Sequence, residues 1–451
     1  MVLNLINRGT EDISDSAEIN KDLKIKFEDS EIDWETHPEV EYGDDDKNQL
    51  QYYKIYQSRV NRLRSRLEEA VEEKFPDTYS KKLYQMRIDE KAVVYGIFIK
   101  TIANQPQVLD EYDEDRVPYE GDNFLSENDI LGFEDESQRI ECSGITAEKI
   151  KSILTGEVVA LYGRVIETGT FEIEDWVSPV PAPPSSKACT ETVVGIVGDM
   201  SIGNPNTTSS LEYELMSNFF TGIAGEENEQ KAKAKISRVQ ISGLMYQADK
   251  YLRDRKSWKM KAGDQASRMK LADKFISSIA KNMSVDIITG EGDAGSLHVP
   301  TAALHPLLFP NARHGGLKCF PSPIQYNVNG TSILHISNKV MDKLFEYGNF
   351  GNTIEAMKKL LTCSHACPIA PDVIPLAPFQ GVDPFTIMTA PDIVWCVGDD
   401  FYQEEFKYGK MTVLLIQVPR FKLTKQAILV KTKPSLTENP TVQQVHFGIN
   451  L

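Results

Sequence analysis

Hydrophobic residues recur every three or four positions between residues 49 and 75, which is the spacing of one face of an α-helix. These positions are Tyr52, Tyr56, Val60, Leu63, Leu67 and Val71, and Pro76 ends the pattern. Four arginines fall in the first part of the segment and four glutamates in the last. We predict an amphipathic helix packed on its own domain, with charged residues that are solvated or paired at i,i+4.

Short apolar runs typical of β-strands follow between residues 86 and 178. We predict one helix over 146–154 and five strands, over 93–99, 129–133, 138–142, 158–165 and 170–175. The order of three strands, one helix and two strands is that of an OB-fold, a small five-stranded barrel. Acidic residues are frequent in this region, so we expect a barrel that binds protein rather than single-stranded nucleic acid. The helix and the barrel together form a predicted domain over 49–180.

A second domain is predicted beyond residues 181–190, a Pro- and Ser-rich segment that we interpret as a stiff linker. Between residues 191 and 451 apolar strand patterns alternate with helical ones, which indicates an α/β domain. The predicted helices cover 211–223 and 262–283, and the predicted strands cover 193–198, 238–243, 285–290, 393–398, 412–417 and 427–430. Several of these strands end in glycine, where open α/β sheets usually place their active-site loops. The overall class is α+β.

Charge separates the N-terminus from the rest of the chain. Residues 1–48 hold 15 acidic and 5 basic residues, a net charge of −10, with few apolar positions between them. We predict that they form a disordered acidic tail. The whole chain has 49 Lys and Arg against 66 Asp and Glu, a net charge of −17. Because phosphate backbones repel such a chain, we do not expect it to bind nucleic acid by itself.

Two further features of the sequence predict the cellular compartment of the protein. The N-terminus resembles neither a secretory signal nor a transit peptide, so the six cysteines are expected to be reduced thiols in the cytosol or nucleus. No apolar run reaches the ~18 residues of a membrane-spanning helix. We therefore expect a protein without membrane contact.

The strands that end in glycine resemble those of calcineurin-like metallophosphoesterases, which are α/β sandwiches. That family places metal ligands after successive strands, because two metal ions must be held by carboxylates and imidazoles to activate water. The corresponding positions here are Asp199, Ser201, Leu244, Glu291, Gly292, Asp293, Asp399 and Phe401. The histidines and the bridging aspartate are absent, so we interpret these positions as remnants of a metal site. The domain is predicted to have no catalytic residues, metal ligands or cofactor.

Three other features could carry chemistry, and each has a simpler interpretation. Cys363, His365 and Cys367 have soft-ligand spacing, but a structural zinc site needs a fourth ligand and no second cluster exists. We interpret them as part of a packed loop. His305, among apolar residues and prolines, is predicted to be a loop histidine. Residues 250–270 hold eight basic and two acidic residues; we favour a solvated loop over a DNA contact.

Several segments together resemble the B subunits of the eukaryotic replicative DNA polymerases, in which an OB-fold precedes a phosphoesterase-like domain without its metal ligands. They are residues 51–59, 131–137, 169–171, 284–290, 305–310 and 367–372. The resemblance covers about residues 50–449, and segment 51–59 with the short N-terminus favours the delta branch of the family. The alpha and epsilon branches are alternatives. An active metal-dependent 3'-5' exonuclease is another, but it needs the absent ligands.

The resemblance implies a non-catalytic scaffold for DNA replication and repair synthesis. In this family the B subunit holds the C-terminal cysteine-rich module of the catalytic subunit and also the third, clamp-binding subunit. The iron–sulfur cluster is then expected on the catalytic partner and not on this chain. The resemblance further implies a nuclear protein that meets DNA only through the complex.

Overall fold

The computed structural model describes residues 30, 32–33, 53–106, 121–183, 190–204, 211–223, 230, 233–246, 262–377, 383–408, 411–433 and 438–447. The chain divides into two compact units, and both are discontinuous in sequence. Unit 1 comprises Met1–Glu35, Ser185–Asn338 and Pro391–Leu451, and unit 2 comprises Thr36–Pro184 and Lys339–Ala390. No helix among the described residues combines the length and apolar composition that a membrane crossing requires.

The regular elements of the described residues are numbered in chain order. The helices are α1 Tyr53–Lys74, α2 Ala147–Ser152, α3 Leu211–Phe220, α4 Ala262–Ala280, α5 Asn338–Tyr347, α6 Thr353–Thr362 and α7 Phe421–Thr424. The strands are β1 Ile32–Asp33, β2 Lys91–Thr101, β3 Ile130–Glu134, β4 Arg139–Ser143, β5 Val158–Val165, β6 Phe171–Val177, β7 Val193–Gly198, β8 Ile236–Ser242, β9 Ser284–Ile288, β10 Leu317–Phe320, β11 Ile324–Val328, β12 Thr331–His335, β13 Ile393–Gly398, β14 Tyr402–Tyr408, β15 Met411–Pro419, β16 Gln426–Lys431 and β17 Thr441–His446.

Unit 2 is built on a closed barrel with the strand order β2-β3-β4-β6-β5. All five predicted strands and the predicted helix before β5 are present, so the OB-fold prediction is confirmed. Alternate residues of β2 explain how the barrel is covered, because successive side chains of a strand point to opposite faces. Val94 and Phe98 fill the barrel interior, while Val93 and Ile97 pack outside against apolar residues of α1.

Unit 1 is a sandwich of two six-stranded sheets, with orders β1-β11-β12-β13-β15-β14 and β10-β9-β8-β7-β16-β17. One apolar core lies between them and includes Trp395, Tyr326 and Ile196. A second core lies between the second sheet and helices α3 and α4, where Phe220 and Ile276 are completely buried. Strand β7 is therefore buried on both faces and is a continuous apolar run, whereas the equally buried β8 carries the polar residues Arg238 and Gln240.

Three predictions about chain organisation need correction. Residues 339–390 belong to unit 2 with the barrel, although we assigned 191–451 to one domain. The predicted linker is paired at its start, because the Ala182 N–H donates to the Met388 carbonyl and the Ala390 N–H donates to the Ala182 carbonyl. The predicted disordered tail contains strand β1, which pairs with β11. The remainder of the tail lies outside the described residues.

Candidate functional site

Three loops that sequence analysis singled out meet at one edge of the second sheet. Strands β7, β8 and β9 are parallel neighbours, so their carboxyl ends lie side by side. Asp199 follows β7 and its N–H donates to the Ser242 carbonyl at the end of β8 over 2.7 Å. Gly290, after β9, approaches so closely that a Cβ there would lie 2.4 Å from the Gly243 Cα. The fold thus brings together the three loops that carry Asp199, Leu244 and Asp293.

The Asp199 carboxylate is neutralised by two cationic side chains that follow β15. Oδ2 lies 2.8 Å from the Lys422 Nζ and 3.3 Å from the Arg420 Nη1. Oδ1 accepts a hydrogen bond from the Ser201 hydroxyl over 2.8 Å. Sequence analysis missed Arg420 and Lys422. Only their position shortly after an apolar strand could have indicated that they lie near the site. Both carboxylate oxygens of Asp199 are thus occupied by groups of the chain itself.

Leu244 and Asp293 do not form an open metal site, because Leu244 lies in the core and main-chain N–H groups bind the Asp293 carboxylate. Leu244 is completely buried in the core beneath α3 and α4. Asp293 accepts hydrogen bonds from the N–H groups of Met245 and Gly290, each over 2.8 Å, and from that of Leu244 over 3.1 Å. Burial raises the pKa of Asp293 to about 6, against the opposing effect of these N–H groups. Asp293 therefore fixes the loop after β9 to the loop after β8.

The other positions that sequence analysis interpreted as remnants of a metal site have fewer contacts with Asp199. Glu291 and Gly292 line a cavity of about 50 Å³ together with Asp199. Asp399 has a side chain that is 76 % exposed and reaches the site only through Arg420, whose Nε lies 2.9 Å away. Phe401 packs against the core between the two sheets. The described residues contain no group of three or more Asp, Glu, His or Cys side chains arranged to hold a metal ion.

A buried histidine beside the cavity is a further residue that sequence analysis missed. His335 Nε2 lies 2.9 Å from the Ser242 hydroxyl, and Nδ1 lies 3.2 Å from the Ser322 hydroxyl. Its ring packs against Trp395 at 4.3 Å between centroids. Burial lowers the pKa of His335 to about 3, so the imidazole is neutral. Both ring nitrogens are used by the serines, which makes this a structural group.

Unit 2 has its own buried polar centre, formed around Arg59 of α1. Its Nε donates to Asp383 over 2.7 Å. Its two terminal nitrogens donate to the carbonyls of Gly156, Pro368 and Ala370 over 2.8–2.9 Å. Arg59 and Asp383 are both completely buried. The prediction that the charges of α1 are solvated or paired at i,i+4 is therefore wrong for Arg59, although it is confirmed for Arg64 and Glu68.

The Cys363–His365–Cys367 segment packs against this centre, as predicted for a packed loop. The Asp383 carboxylate lies 3.0 Å from the His365 Nε2, and Nδ1 of that ring accepts the Cys367 N–H over 3.1 Å. Burial, followed by the charge of Arg59, lowers the pKa of His365 to about 4. Burial raises the pKa of Cys367 to about 12 and that of Cys363 well above its usual value. Buried thiols and an occupied imidazole make a structural segment.

Two other candidates have different outcomes. His305 is an exposed loop residue, as predicted, and its Nδ1 accepts the Leu307 N–H over 3.2 Å at the start of the short 3₁₀ helix Pro306–Leu308. Most of the basic segment 250–270 lies outside the described residues. In its described part, Arg268 lies over the Tyr246 ring at 5.2 Å, which is a contact within unit 1.

Comparison with known proteins finds two family models and several relatives. A model described as DNA polymerase delta subunit OB-fold domain matches residues 51–176, and a model of the B subunit of DNA polymerases alpha and epsilon matches residues 196–406. The chain is 28 % identical to the DNA polymerase delta small subunit of Arabidopsis thaliana, covering 85 % of this chain and 89 % of the relative. It is 26 % identical to that of Oryza sativa (85 % and 91 %) and 22 % identical to that of Saccharomyces cerevisiae (84 % and 87 %).

Proposed function

The chain belongs to the B-subunit family of the DNA polymerases alpha, delta and epsilon, and from this we propose that it is the non-catalytic scaffold subunit of a polymerase delta complex. The delta assignment is supported by the delta-type OB-fold model over 51–176 and by relatives named as delta small subunits. The alpha and epsilon branches are the competing assignments, because the second matched model carries their name.

The single observation that best supports a non-catalytic role is the internal neutralisation of Asp199. A two-metal phosphoesterase needs carboxylates that are free to bridge its metal ions. Here Lys422 and Arg420 lie within 3.3 Å of the Asp199 carboxylate, and a divalent cation at that place would be repelled by both. Leu244 stands where the bridging aspartate is expected and is buried in the core. We infer that the phosphoesterase-like site has become a structural element.

The scaffold role follows from family resemblance combined with charge. A net charge of −17 disfavours direct contact with DNA phosphates, whereas a protein interface does not require a basic surface. We propose that the chain binds the C-terminal cysteine-rich module of the catalytic subunit and the third, clamp-binding subunit, with any iron–sulfur cluster held by the catalytic partner. Its place of action would be the nucleus, during DNA replication and repair synthesis.

Co-expression tests this assignment. The full chain, carrying an affinity tag, is produced together with the C-terminal modules of the delta, alpha and epsilon catalytic subunits at equal levels. We expect the delta module to be recovered in a stoichiometric complex, with the other two absent. Recovery of the alpha or epsilon module instead would reassign the branch, and recovery of none would contradict the scaffold proposal.

A further inference from the structure

A cavity of about 540 Å³ lies between helix α1 and the barrel, within unit 2. Its walls are one face of α1, residues 80–85, strand β2 and the turn between β3 and β4. We call this cavity the α1 groove. Its volume is in the range of about 300–1,000 Å³ that is typical of ligand-binding pockets.

Three side chains of α1 line the groove in a regular row. Tyr53, Gln57 and Asn61 are each four residues apart, so they lie on the same face of the helix. Tyr53 is 55 % exposed. The side-chain amides of Gln57 and Asn61 are exposed and make no hydrogen bond with any residue in the described part of the chain. The row therefore offers one aromatic ring and two unused amides to a ligand.

The spacing of this row matches that of an extended peptide. Four residues of α-helix rise about 6.0 Å, and two residues of polyproline II helix rise about 6.2 Å. From Tyr53 to Asn61 the row spans about 12 Å, which is close to the ~12.4 Å of four polyproline II residues. Four residues of a β-strand span about 13–14 Å and lose register along the same row. The row thus fits every second residue of a polyproline II segment best.

The opposite wall of the groove is fixed in place by Asp135. Its Oδ2 accepts the Leu83 N–H over 2.7 Å, which ties the β3–β4 turn to the short 3₁₀ helix Leu83–Gln85. Its Oδ1 accepts the N–H groups of Ser137 over 2.7 Å and Gln138 over 3.0 Å. Because this turn is held by its own hydrogen bonds, the groove is formed before any ligand arrives, which lowers the cost of binding.

The charges of the groove indicate an uncharged ligand. Each of its four cationic side chains is paired with a carboxylate of the same unit. The pairs are Arg64–Glu68, Lys81–Glu90, Lys82–Glu136 and Arg139–Glu134. The groove therefore has no excess positive charge that would select phosphates or an acidic peptide. Arg64 also lies over the Tyr95 ring at 3.7 Å, so that ring already has its own cation.

We propose that the α1 groove binds an uncharged, proline-rich segment of a partner protein in the polyproline II conformation. Pyrrolidine rings of the segment pack on Tyr53, and its carbonyl groups accept hydrogen bonds from the amides of Gln57 and Asn61. A polyproline II backbone makes no internal hydrogen bonds, so its carbonyls are available, and aromatic-lined grooves are the usual sites for such segments. The inference does not depend on the polymerase assignment.

Peptide titration tests the proposal. The probe is a fluorescent peptide of four Ala-Pro-Pro repeats, added to the full chain as wild type, as the double variant Gln57→Ala/Asn61→Ala and as Asn128→Ala. Asn128 is an exposed amide of unit 2 that does not line the groove, and it controls for the loss of an amide elsewhere. We expect the double variant to bind at least about tenfold more weakly than the other two, because two hydrogen bonds are lost. A peptide of four Ala-Gly-Ser repeats, which is uncharged but not held in polyproline II, should bind at least about tenfold more weakly to the wild type.

Hydrogen exchange provides a second readout that locates the peptide. Residues 80–85 and 134–139 should be protected by the proline-rich peptide in the wild type and not in the double variant. The proposal would be overturned by no binding to the wild type up to ~1 mM peptide, or by equal affinity for the double variant. Tighter binding of a ten-residue oligothymidylate, lost in the double variant, would assign the groove to single-stranded nucleic acid and refute the peptide.

Discussion

Replacing Arg59 should destabilise unit 2 more than any exposed charge substitution. In Arg59→Met, the buried Asp383 carboxylate loses the guanidinium that lies 2.7 Å away, and three carbonyl groups lose their donors. Removing one member of a buried ion pair costs about 3–5 kcal/mol. The freed carbonyls add to this cost, since each unsatisfied buried acceptor costs about 1–3 kcal/mol, although such terms are not additive.

A double variant separates the unpaired charge of Asp383 from the other losses at this site. Burial alone would raise the pKa of Asp383, but Arg59 and the contact with His365 hold it well below its usual range. Adding Asp383→Asn to Arg59→Met removes the uncompensated charge and leaves Oδ1 to accept the Phe385 N–H. The double variant should therefore be more stable than Arg59→Met. Arg64→Met is the matched control; Arg64 pairs with Glu68 in solvent and lies over Tyr95, which predicts a loss below about 1 kcal/mol.

Hydrogen exchange of barrel peptides in the full chain measures this effect, because it reports the opening free energy of unit 2 separately from unit 1. The reasoning would be refuted if Arg59→Met lowered that free energy by less than about 1 kcal/mol, or if the double variant were no more stable than Arg59→Met.

Three further predictions concern both units. Gly156→Ala should lower the free energy of unfolding by at least about 2 kcal/mol, because Gly156 has φ +85° and a Cβ would lie 2.1 Å from the Pro368 carbonyl oxygen. Gly169→Ala is the control and should cost less, since Gly169 has φ +79° but no described atom lies within 4 Å of its added Cβ. Urea unfolding measures both losses. Lys422→Gln should cost about 1 kcal/mol, and a double-mutant cycle with Asp199→Asn should reveal favourable coupling; a coupling of zero would refute the pairing. The folded-state pKa of His335 lies below its ordinary 6.5, so its contribution to the stability of unit 1 is present above pH 6.5 and lost as the pH falls toward about 3. His335→Gln should flatten that dependence in pH-dependent unfolding, and an unchanged slope would contradict the assignment.

Local pattern was enough to predict part of the regular elements, although the amphipathic helices α5 and α6 and the buried strands β11 and β12 were not predicted. Helix α1 and the five barrel strands follow from spacing over a few residues, and so does the strand pattern of β7, β8 and β9. Strand β14 was missed because its residues alternate between partly and largely exposed, without an apolar run. The polar edge strand β17 was missed for the same reason.

What could not be predicted depends on contacts between distant parts of the chain. Arg59 looks like any other charged residue of an amphipathic helix until Asp383, 324 positions later, is placed beside it. The pairing of Asp199 with Lys422 likewise joins two strand ends that the sequence separates widely. The assignment of 339–390 to the barrel unit has no local signal, because the helical patterns of α5 and α6 fit either unit.

The central claim is that Lys422 and Arg420 neutralise the Asp199 carboxylate and that the site around it performs no phosphoryl chemistry. Its most direct test is hydrolysis of a phosphodiester and of single-stranded DNA by the purified full chain with Mn²⁺, Mg²⁺ or Zn²⁺. The predicted rate is indistinguishable from that of Asp199→Ala prepared in parallel, with every metal. A metal-dependent turnover in the wild type that is lost in Asp199→Ala or Asp293→Ala would contradict the account.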